Sequence, residues 1–225
     1  TLPNVNGMYT VSTSIAKEFE KLYNIQCKVI RNVPFANPVN ESNFTVPPFL
    51  LYQGAVKEGR GLFKLIDCVK QTNLLLKIAG DGELLLQLKN YVIELKLEKQ
   101  IVFLGKLDVA SLKEVTANCW AGINVLENKG KSYYYSLSNK FFDYIQACKP
   151  QISINFPEYK IINDTYKIGE MIDEFEPSNF KNAVSKLNDT THYNALIENT
   201  KYAKNELNWG KEKEILLSFY ARLNQ

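Results

Sequence analysis

The sequence predicts an α/β fold, a doubly wound parallel sheet of the Rossmann-like kind with extra helices at its C-terminal end. Apolar runs of four to seven residues recur without alternating with polar residues, as in strands buried on both faces of a parallel sheet. Stretches with helical apolar spacing lie between these runs, so that strands and helices alternate. The predicted strands of the sheet cover residues 49–53, 74–79, 101–104, 119–125 and 151–154.

The N-terminal part of the chain differs from this pattern. Residues 8–13 are predicted to form a strand, residues 14–23 a helix and residues 28–31 a second strand. Prolines at positions 34, 38, 47 and 48 then break the chain into a loop. We therefore divide the chain into a tail of residues 1–32 and a main domain of residues 33–225.

Apolar spacing predicts the helices. Apolar residues follow the i, i+3, i+4, i+7 pattern between Leu62 and Val69, and much the same pattern follows Gly82. After Pro177 the spacing is helical throughout, which adds three helices behind the sheet. These C-terminal helices are predicted over residues 178–187, 193–206 and 211–223.

Composition and charge exclude several classes of function. The 225 residues are 45% hydrophobic and carry a net charge of +3, which excludes a disordered tail and gives no support for a nucleic-acid partner. No apolar stretch is long enough to predict a transmembrane helix. The four cysteines are too far apart for a zinc or redox motif, which predicts buried, reduced thiols in a cytoplasmic protein. They are Cys27, Cys68, Cys119 and Cys148.

Three successive predicted strands end in glycine, at Gly54, Gly80 and Gly105. Parallel strands end at the same sheet edge, where glycine lets the backbone approach a ligand closely. The loop after Gly54 carries Arg60 at the start of a helix, and the chain has only three arginines against 24 lysines. A guanidinium suits phosphate, so Arg60 is a candidate phosphate ligand. The alternative is an ordinary strand-to-helix turn with a solvated arginine.

A second candidate segment opens the helix that follows residue 137. Ser138 and Asn139 are good N-cap residues, and Lys140 falls in the first turn, where a cation is unfavourable unless an anion also binds there. Asp143 lies one turn further on and could accept hydrogen bonds from a sugar. The alternative is that Asp143 only complements the helix N-terminus and that Lys140 is solvated.

Other features predict no chemistry. His192 is the only histidine and is predicted to be a surface residue, so a Ser-His-Asp triad is not expected. The charge runs 173–176 and 211–214 are predicted to be solvated faces. Neither the dinucleotide glycine fingerprint nor a P-loop motif occurs, which disfavours an NAD enzyme.

Taken together, these segments resemble the C-terminal, donor-binding half of the bacterial GT-B glycosyltransferases of family four, the group one transferases. The segments occur in the family's order and spacing over nearly the whole chain. Asn139 to Tyr144, with Lys149 and Pro150, is similar to the family's proline-x-lysine, glutamate-tyrosine and glycine-lysine-proline segment. The other similar segments are residues 11–12, 29–32, 51–61, 78–82 and 102–105, and Trp209 at the start of the last helix.

The resemblance implies a role for each candidate residue. Arg60 would bind the diphosphate of a nucleotide-sugar donor, and Asp143 would bind its ribose. Ser138 and Asn139, with the N–H groups behind them, would cap the phosphates. No metal or other cofactor is expected, because basic residues and the helix terminus would neutralise the leaving diphosphate. The remaining positions of the predicted donor site are Gly54, Gly80, Gly105, Lys106 and Lys140, of which Gly105 and Lys106 would frame the base.

The sequence departs from the family pattern at three positions. The family often has a basic residue directly after the first glycine, where this chain has Ala55. Asp143 is one carbon shorter than the family's second glutamate, and Tyr135 stands where the first glutamate is expected. Glu127 is the nearest acid upstream and is the candidate catalytic residue in its place.

The resemblance implies a glycosyltransferase that moves a sugar from a UDP- or GDP-linked donor to an acceptor in surface polysaccharide or glycolipid assembly. Retention of configuration is implied by the family alone. The location would be cytoplasmic, with peripheral contact to the inner membrane face if the acceptor is lipid-linked. Because the acceptor-binding half is nearly absent, with residues 1–32 as its tail, we expect these residues to bind nucleotide without transferring sugar.

Two other hypotheses about the function stay open. One is half of a GT-B-type epimerase that acts on a nucleotide sugar, although such an enzyme would need acid and histidine chemistry that one peripheral histidine does not supply. The other is a non-catalytic module that binds a nucleotide or a partner, which Tyr135 in place of a glutamate favours.

Overall fold

The computed structural model describes residues 5–36 and 48–223, and its first elements form a small parallel unit. The strands β1 (Met8–Thr10) and β2 (Cys27–Val29) pair in parallel, and helix α1 (Thr13–Tyr23) connects them. The predicted order of strand, helix and strand is therefore confirmed. β1 ends earlier than predicted because Ser12 takes the N-cap position of α1, where its hydroxyl accepts a hydrogen bond from the Ile15 N–H. Most of the predicted proline loop, residues 37–47, lies outside the described residues.

A six-stranded sheet forms the centre of the molecule, and every strand pair in it is parallel. The spatial order is β5-β4-β3-β6-β7-β8, which confirms the predicted doubly wound sheet. The order reverses between β3 and β6, and open α/β sheets bind ligands in the crevice at such a reversal. The strands are β3 (Phe49–Gln53), β4 (Leu75–Ala79), β5 (Ile101–Gly105), β6 (Ala121–Asn124), β7 (Gln151–Ile154) and β8 (Gly169–Ile172).

Helices cover the sheet and bury their apolar faces against it. The strands have continuous apolar sequences because they are buried: Leu50, Tyr52, Leu76 and Ile123 have no exposed surface. The helices between the strands are α2 (Leu62–Lys70), α3 (Leu85–Glu94), α4 (Val109–Asn118), α5 (Lys131–Tyr134), α6 (Asn139–Gln146) and α7 (Pro157–Tyr166).

Three helices follow the sheet, as predicted. They are α8 (Pro177–Leu187), α9 (Thr190–Glu206) and α10 (Trp209–Leu223). α9 begins before its first apolar residue because the side chain of Asp189 accepts a hydrogen bond from the His192 N–H and caps the helix.

The last helix, α10, packs against the N-terminal unit. Glu212 is buried and its carboxylate binds both the backbone N–H and the guanidinium of Arg31. The ring of Tyr9 lies 5.6 Å from that of Phe219. The prediction that the run 211–214 is a solvated face is therefore wrong at Glu212. The division into residues 1–32 and 33–225 stays a prediction.

Three elements of the sheet layer were not predicted, namely β8, α7 and the short helix α5. In β8, Gly169 and Glu170 interrupt the apolar run that would have indicated a strand. Gly169 packs so closely that a Cβ there would lie 2.1 Å from the Gln151 carbonyl oxygen. The Glu170 carboxylate is buried but paired, 2.7 Å from His192 Nε2 and 3.0 Å from Lys186 Nζ. The helix α7 before it starts with Pro157 at its first turn and buries Tyr159 and Ile162.

Candidate functional site

The three glycine ends meet at one edge of the sheet, as predicted. The Gly54 N–H donates to the Ala79 carbonyl at 2.9 Å, and the Gly80 N–H donates to the Gly105 carbonyl at 2.8 Å. A Cβ on Gly80 would lie 1.8 Å from the Gly54 carbonyl oxygen, so only glycine allows this approach. A cavity of about 490 Å³ opens at this edge. Its lining includes Gly54, Ala55, Gly80, Asp81, Lys106 and Leu107.

The loop after β3 presents Arg60 at the start of α2. Gly61, the N-cap residue, has φ 64° and ψ 24°, and a Cβ there would lie 2.8 Å from Val125 Cγ2. The loop therefore packs against the end of β6 at the reversal of strand order. Arg60 is half-buried and its Nε atom is buried without a hydrogen-bond partner. In residues 5–36 and 48–223, no carboxylate pairs with its guanidinium.

Lys140, in the first turn of α6, is a second cation beside Arg60. It is only 8% exposed, so the alternative of a solvated lysine is wrong. Its Nζ lies 4.0 Å from the centroid of the Tyr52 ring, and no acid of the described part of the chain forms an ion pair with it. Burial, with a further effect from the Arg60 charge, lowers the pKa of Lys140 to about 7.

Lys140 also lies near Ala55, where the sequence lacks the basic residue that the family often has. A Cβ built on Gly54 would lie 3.9 Å from Lys140 Nζ, so the ammonium group lies beside the Gly54–Ala55 backbone. The family often places a basic residue directly after this glycine. In this chain, a lysine from α6 brings a positive charge to the same loop.

The N-terminus of α6 has no side-chain cap among the described residues. Ser138 takes the N-cap position, as predicted, but its side chain does not cap the helix. Its hydroxyl instead donates to Asn124 Oδ1 at 2.9 Å, and Asn124 donates to Ser153 on β7. Asn139 is exposed and accepts a hydrogen bond from Asn32. The first N–H groups of α6 therefore place their partial positive charge at the end of the sheet, with no side-chain acceptor in residues 5–36 and 48–223.

Asp143 lies one turn further along α6. Its Oδ2 accepts a hydrogen bond from Gln53 Nε2 at 2.8 Å. Burial raises the pKa of Asp143 to about 6, while the Gln53 hydrogen bond and the Lys113 charge act in the opposite direction. Asp143 is thus held at the end of β3. The sequence analysis missed Gln53, although a polar residue that ends the apolar strand FLLYQ was an available signal.

Glu127 lies beside the Arg60 loop. Its backbone N–H donates to the Gly59 carbonyl at 3.0 Å, and its Oε2 lies 3.8 Å from Lys129 Nζ. Lys129 also pairs with Glu58, so the loop after β3 and the segment after β6 are tied together. Tyr135, at the family's glutamate position, accepts a hydrogen bond from the Ser12 hydroxyl with its carbonyl. The catalytic role of Glu127 stays a prediction.

The other residues considered in the sequence analysis lie at the rim of the cavity or away from it. Lys106 is exposed at the rim of the cavity. His192 lies two strands away from β6, against Glu170 of β8, and is half-buried rather than a free surface residue. All four cysteines are buried and free, as predicted.

Within the described ranges, no cluster of three His, Cys, Asp or Glu side chains could hold a metal ion, and no helix is long and apolar enough to cross a bilayer. The metal-free site stays a prediction.

The sequence of residues 36–203 matches the family described as glycosyl transferases group 1. The chain belongs to this family. The resemblance identified from the motifs is therefore confirmed. A search of curated protein sequences gave no significant match.

Solved structures of the same fold agree with the family. Anabaena HepE, solved with UDP and glucose, gives a TM-score of 0.79 at 15% identity over 96% of this chain and 63% of that protein. A mutant of S. aureus TarM, solved with fondaparinux, alpha-GlcNAc-glycerol and UDP, gives 0.76 at 12% identity over 98% of this chain and 44% of that protein. Sucrose-phosphate synthase from Thermosynechococcus elongatus gives 0.78 at 18% identity over 99% and 59%. The chain thus spans about half to two thirds of the length of these proteins.

Proposed function

We propose that this chain is the donor-binding part of a glycosyltransferase and that it binds the nucleoside diphosphate of a nucleotide sugar. One observation carries the proposal: buried Lys140 and half-buried Arg60 lie together, without a counter-ion or a side-chain cap of α6 in the described residues, beside the N-terminus of α6. Two cations packed together destabilise a fold unless an anion joins them. A diphosphate supplies that charge.

The rest of the nucleotide follows from this placement. The cavity of about 490 Å³ at Gly80 and Lys106 lies beside Gly54 and has room for a base. Asp143 is bonded to Gln53, the residue before Gly54, and would accept hydrogen bonds from ribose hydroxyls. UDP is the first candidate ligand because HepE and TarM were solved with it.

In the transfer step, the bond between the anomeric carbon and the diphosphate oxygen breaks, the oxygen of an acceptor hydroxyl forms the new glycosidic bond, and the hydroxyl proton passes to the leaving diphosphate. Negative charge develops on the leaving diphosphate. Arg60, Lys140 and the N–H groups of α6 would stabilise that charge, and they would do so without a metal ion. Glu127 is the carboxylate we place nearest the sugar, since its backbone is bonded to the Arg60 loop.

The finer assignments follow from the family. We propose an acceptor in polysaccharide or glycolipid assembly, retention of configuration, and action on the cytoplasmic side with membrane contact if the acceptor is a lipid. Because the chain spans only part of its structural relatives, we expect these residues alone to bind nucleotide and not to transfer sugar.

Calorimetric titration with UDP, GDP, ADP and NAD tests the proposal. We expect one nucleoside diphosphate to bind, and we expect Arg60→Ala and Asp143→Ala to weaken it at least tenfold, since each removes a charged hydrogen-bonding group. Arg222→Ala, on α10, is the matched control and should bind as the original chain does. Failure of every nucleoside diphosphate to bind to the folded chain would overturn the proposal.

A further inference from the structure

Gln53 connects three elements at the point where the strand order reverses. It is the last residue of β3 and is 3% exposed. Its Nε2 donates to Asp143 Oδ2 on α6 at 2.8 Å, and its Oε1 accepts from Thr116 Oγ1 on α4, also at 2.8 Å. The buried amide is therefore held from both sides.

Thr116 has its own fixed position. Its buried hydroxyl has one proton, which lies between two acceptors: Gln53 Oε1 and the Leu112 carbonyl, 2.6 Å away and one turn earlier on α4. A rigid hydroxyl thus orients the Gln53 amide, and the amide in turn fixes one oxygen of the Asp143 carboxylate. The contact with Gln53 uses Oδ2 and leaves the other oxygen, Oδ1, for a ligand.

We propose that Gln53 is a positioning residue for nucleotide recognition: its amide binds one oxygen of Asp143 and leaves the other for the ribose hydroxyls. The inference rests on the proposed function, because it gives the Asp143 carboxylate its ligand. Gln53 itself touches neither the sugar nor the phosphates.

The same contact favours the ionised form of Asp143. Burial raises the pKa of Asp143 to about 6, and the Gln53 N–H and the charge of Lys113 on α4 limit that rise. Tyr144, the next residue on α6, also lies within range of the Asp143 charge. An ionised carboxylate is the stronger acceptor for a hydroxyl, so loss of the Gln53 donor would weaken ribose binding as well as misplace the carboxylate.

The test uses Gln53→Met, which keeps the length of the side chain and removes its donor. The first readout is the pKa of the Asp143 carboxyl, measured by carbon-13 NMR titration without nucleotide. The second is the ratio of affinities for UDP and 2′-deoxy-UDP, with 3′-deoxy-UDP as a third ligand. We expect the pKa of Asp143 to rise above about 6 and the preference for the ribose form to fall by about tenfold.

Two threonine variants complete the design. Thr116→Val removes the hydroxyl that orients Gln53. It should change the Asp143 pKa and the ribose preference in the same direction as Gln53→Met does, but by a smaller amount. If Gln53→Met does not fold, Thr116→Val tests the role of Gln53 in its place. Thr200→Val is the matched control, because Thr200 is equally buried and its hydroxyl likewise bonds the carbonyl one turn earlier, on α9. It should change neither readout.

The outcomes separate the two claims. An unchanged Asp143 pKa and an unchanged ribose preference in Gln53→Met would overturn the role of Gln53 while nucleotide binding stands. Absence of nucleotide binding in the unaltered chain would overturn the proposed function, and the carboxyl titration would still decide whether Gln53 controls Asp143.

Discussion

At the scale of single residues, the notable feature is a buried lysine whose charge has no partner in the described chain. A charged group in such a place opposes folding unless it shifts its pKa. Tyr52 offers its ring face, which compensates only in part. Lys140 therefore lowers the stability of the nucleotide-free protein. A bound anion would offset this loss, as expected for a ligand-binding residue.

We expect Lys140→Met to stabilise the nucleotide-free chain and to remove nucleotide binding. The pKa of Lys140 is about 7 in the folded state and near 10.5 when unfolded. The loss of stability caused by Lys140 is therefore largest below pH 7, and it disappears as the pH rises from 7 to about 10.5. We expect a gain of about 2 kcal/mol in unfolding free energy at pH 6.5 and a smaller gain at pH 9.5, measured by urea denaturation.

A matched control exists on β4. Lys77 also lies over an aromatic ring, with its Nζ 3.9 Å from the centroid of Phe49, but it is only half-buried. Lys77→Met should show no such gain. A loss of stability in Lys140→Met at both pH values would contradict the account of Lys140 as an uncompensated charge.

Some site residues could be predicted from the sequence and others could not. The rarity of arginine and the glycines around it marked Arg60, and helix-start chemistry marked Ser138 and Asp143. The burial of Lys140 and the bonds of Gln53 depend on how α6, α4 and β3 meet, and no local pattern reports such contacts. Lys140 reaches the loop at Gly54 from a segment 86 positions away, so only the fold shows that it lies beside Ala55.

At the scale of elements, two loops are joined edge to edge. The Gly54 N–H binds the Ala79 carbonyl, and the Val56 N–H binds the Asp81 carbonyl, both at 2.9 Å. The close approach at Gly80 makes this pairing possible. The loop after β3 is therefore held by the loop after β4, so its shape is fixed by the protein itself.

A substitution at this contact should break the pairing. In Gly80→Ala the new Cβ would lie 1.8 Å from the Gly54 carbonyl oxygen, so the backbone must shift. We expect a loss of about 3 kcal/mol in unfolding free energy, typical of severe overpacking, together with loss of nucleotide binding. Thermal and urea unfolding measure the first effect and calorimetry the second.

Gly105→Ala is the matched control at the end of the next strand. Its φ is +67°, but a Cβ there would meet no atom within 4 Å. Only the left-handed backbone then opposes the change, at a cost of about 1 kcal/mol. Equal losses in the two variants would show that the approach of the two loops is not what Gly80 serves.

The strand pattern shows why the sheet could be predicted except at β8. Strands β3, β4, β6 and β7 lie in the interior, so burial on both faces leaves apolar runs in the sequence. β5 lies at one edge of the sheet but keeps an apolar run, IVFL, that predicted it. β8 lies at the opposite edge, and its Glu170 pairs with Lys186 and His192, which lie on the later helices α8 and α9. A run with glycine and glutamate does not indicate a strand without those partners.

At the scale of the whole molecule, the site lies where the order of strands reverses, and the N-terminal unit is bonded to the segment that borders it. Ser12 binds the Tyr135 carbonyl, and Lys131 pairs with Glu18 at 2.6 Å. Buried Glu158 accepts hydrogen bonds from the N–H groups of Thr13 and Ser14. The segment between Glu127 and Ser138 therefore has the sheet on one side and α1 on the other.

The central claim is that a diphosphate joins Arg60 and Lys140 at this place, and it is tested most directly by proton uptake on binding. At pH 8, UDP is fully ionised, whereas Lys140, with a pKa of about 7, is mostly neutral. A bound diphosphate favours the charged lysine, so binding should take up close to one proton. Calorimetry in two buffers of different ionisation enthalpy measures this number.

Lys140→Arg supplies the comparison, because a guanidinium is already charged at pH 8 and should bind UDP with no proton uptake. Uptake of nearly one proton by the original chain and none by Lys140→Arg is the result that the account predicts. Binding without proton uptake in the original chain, or equal uptake in the two proteins, would show that the diphosphate does not bind at Lys140.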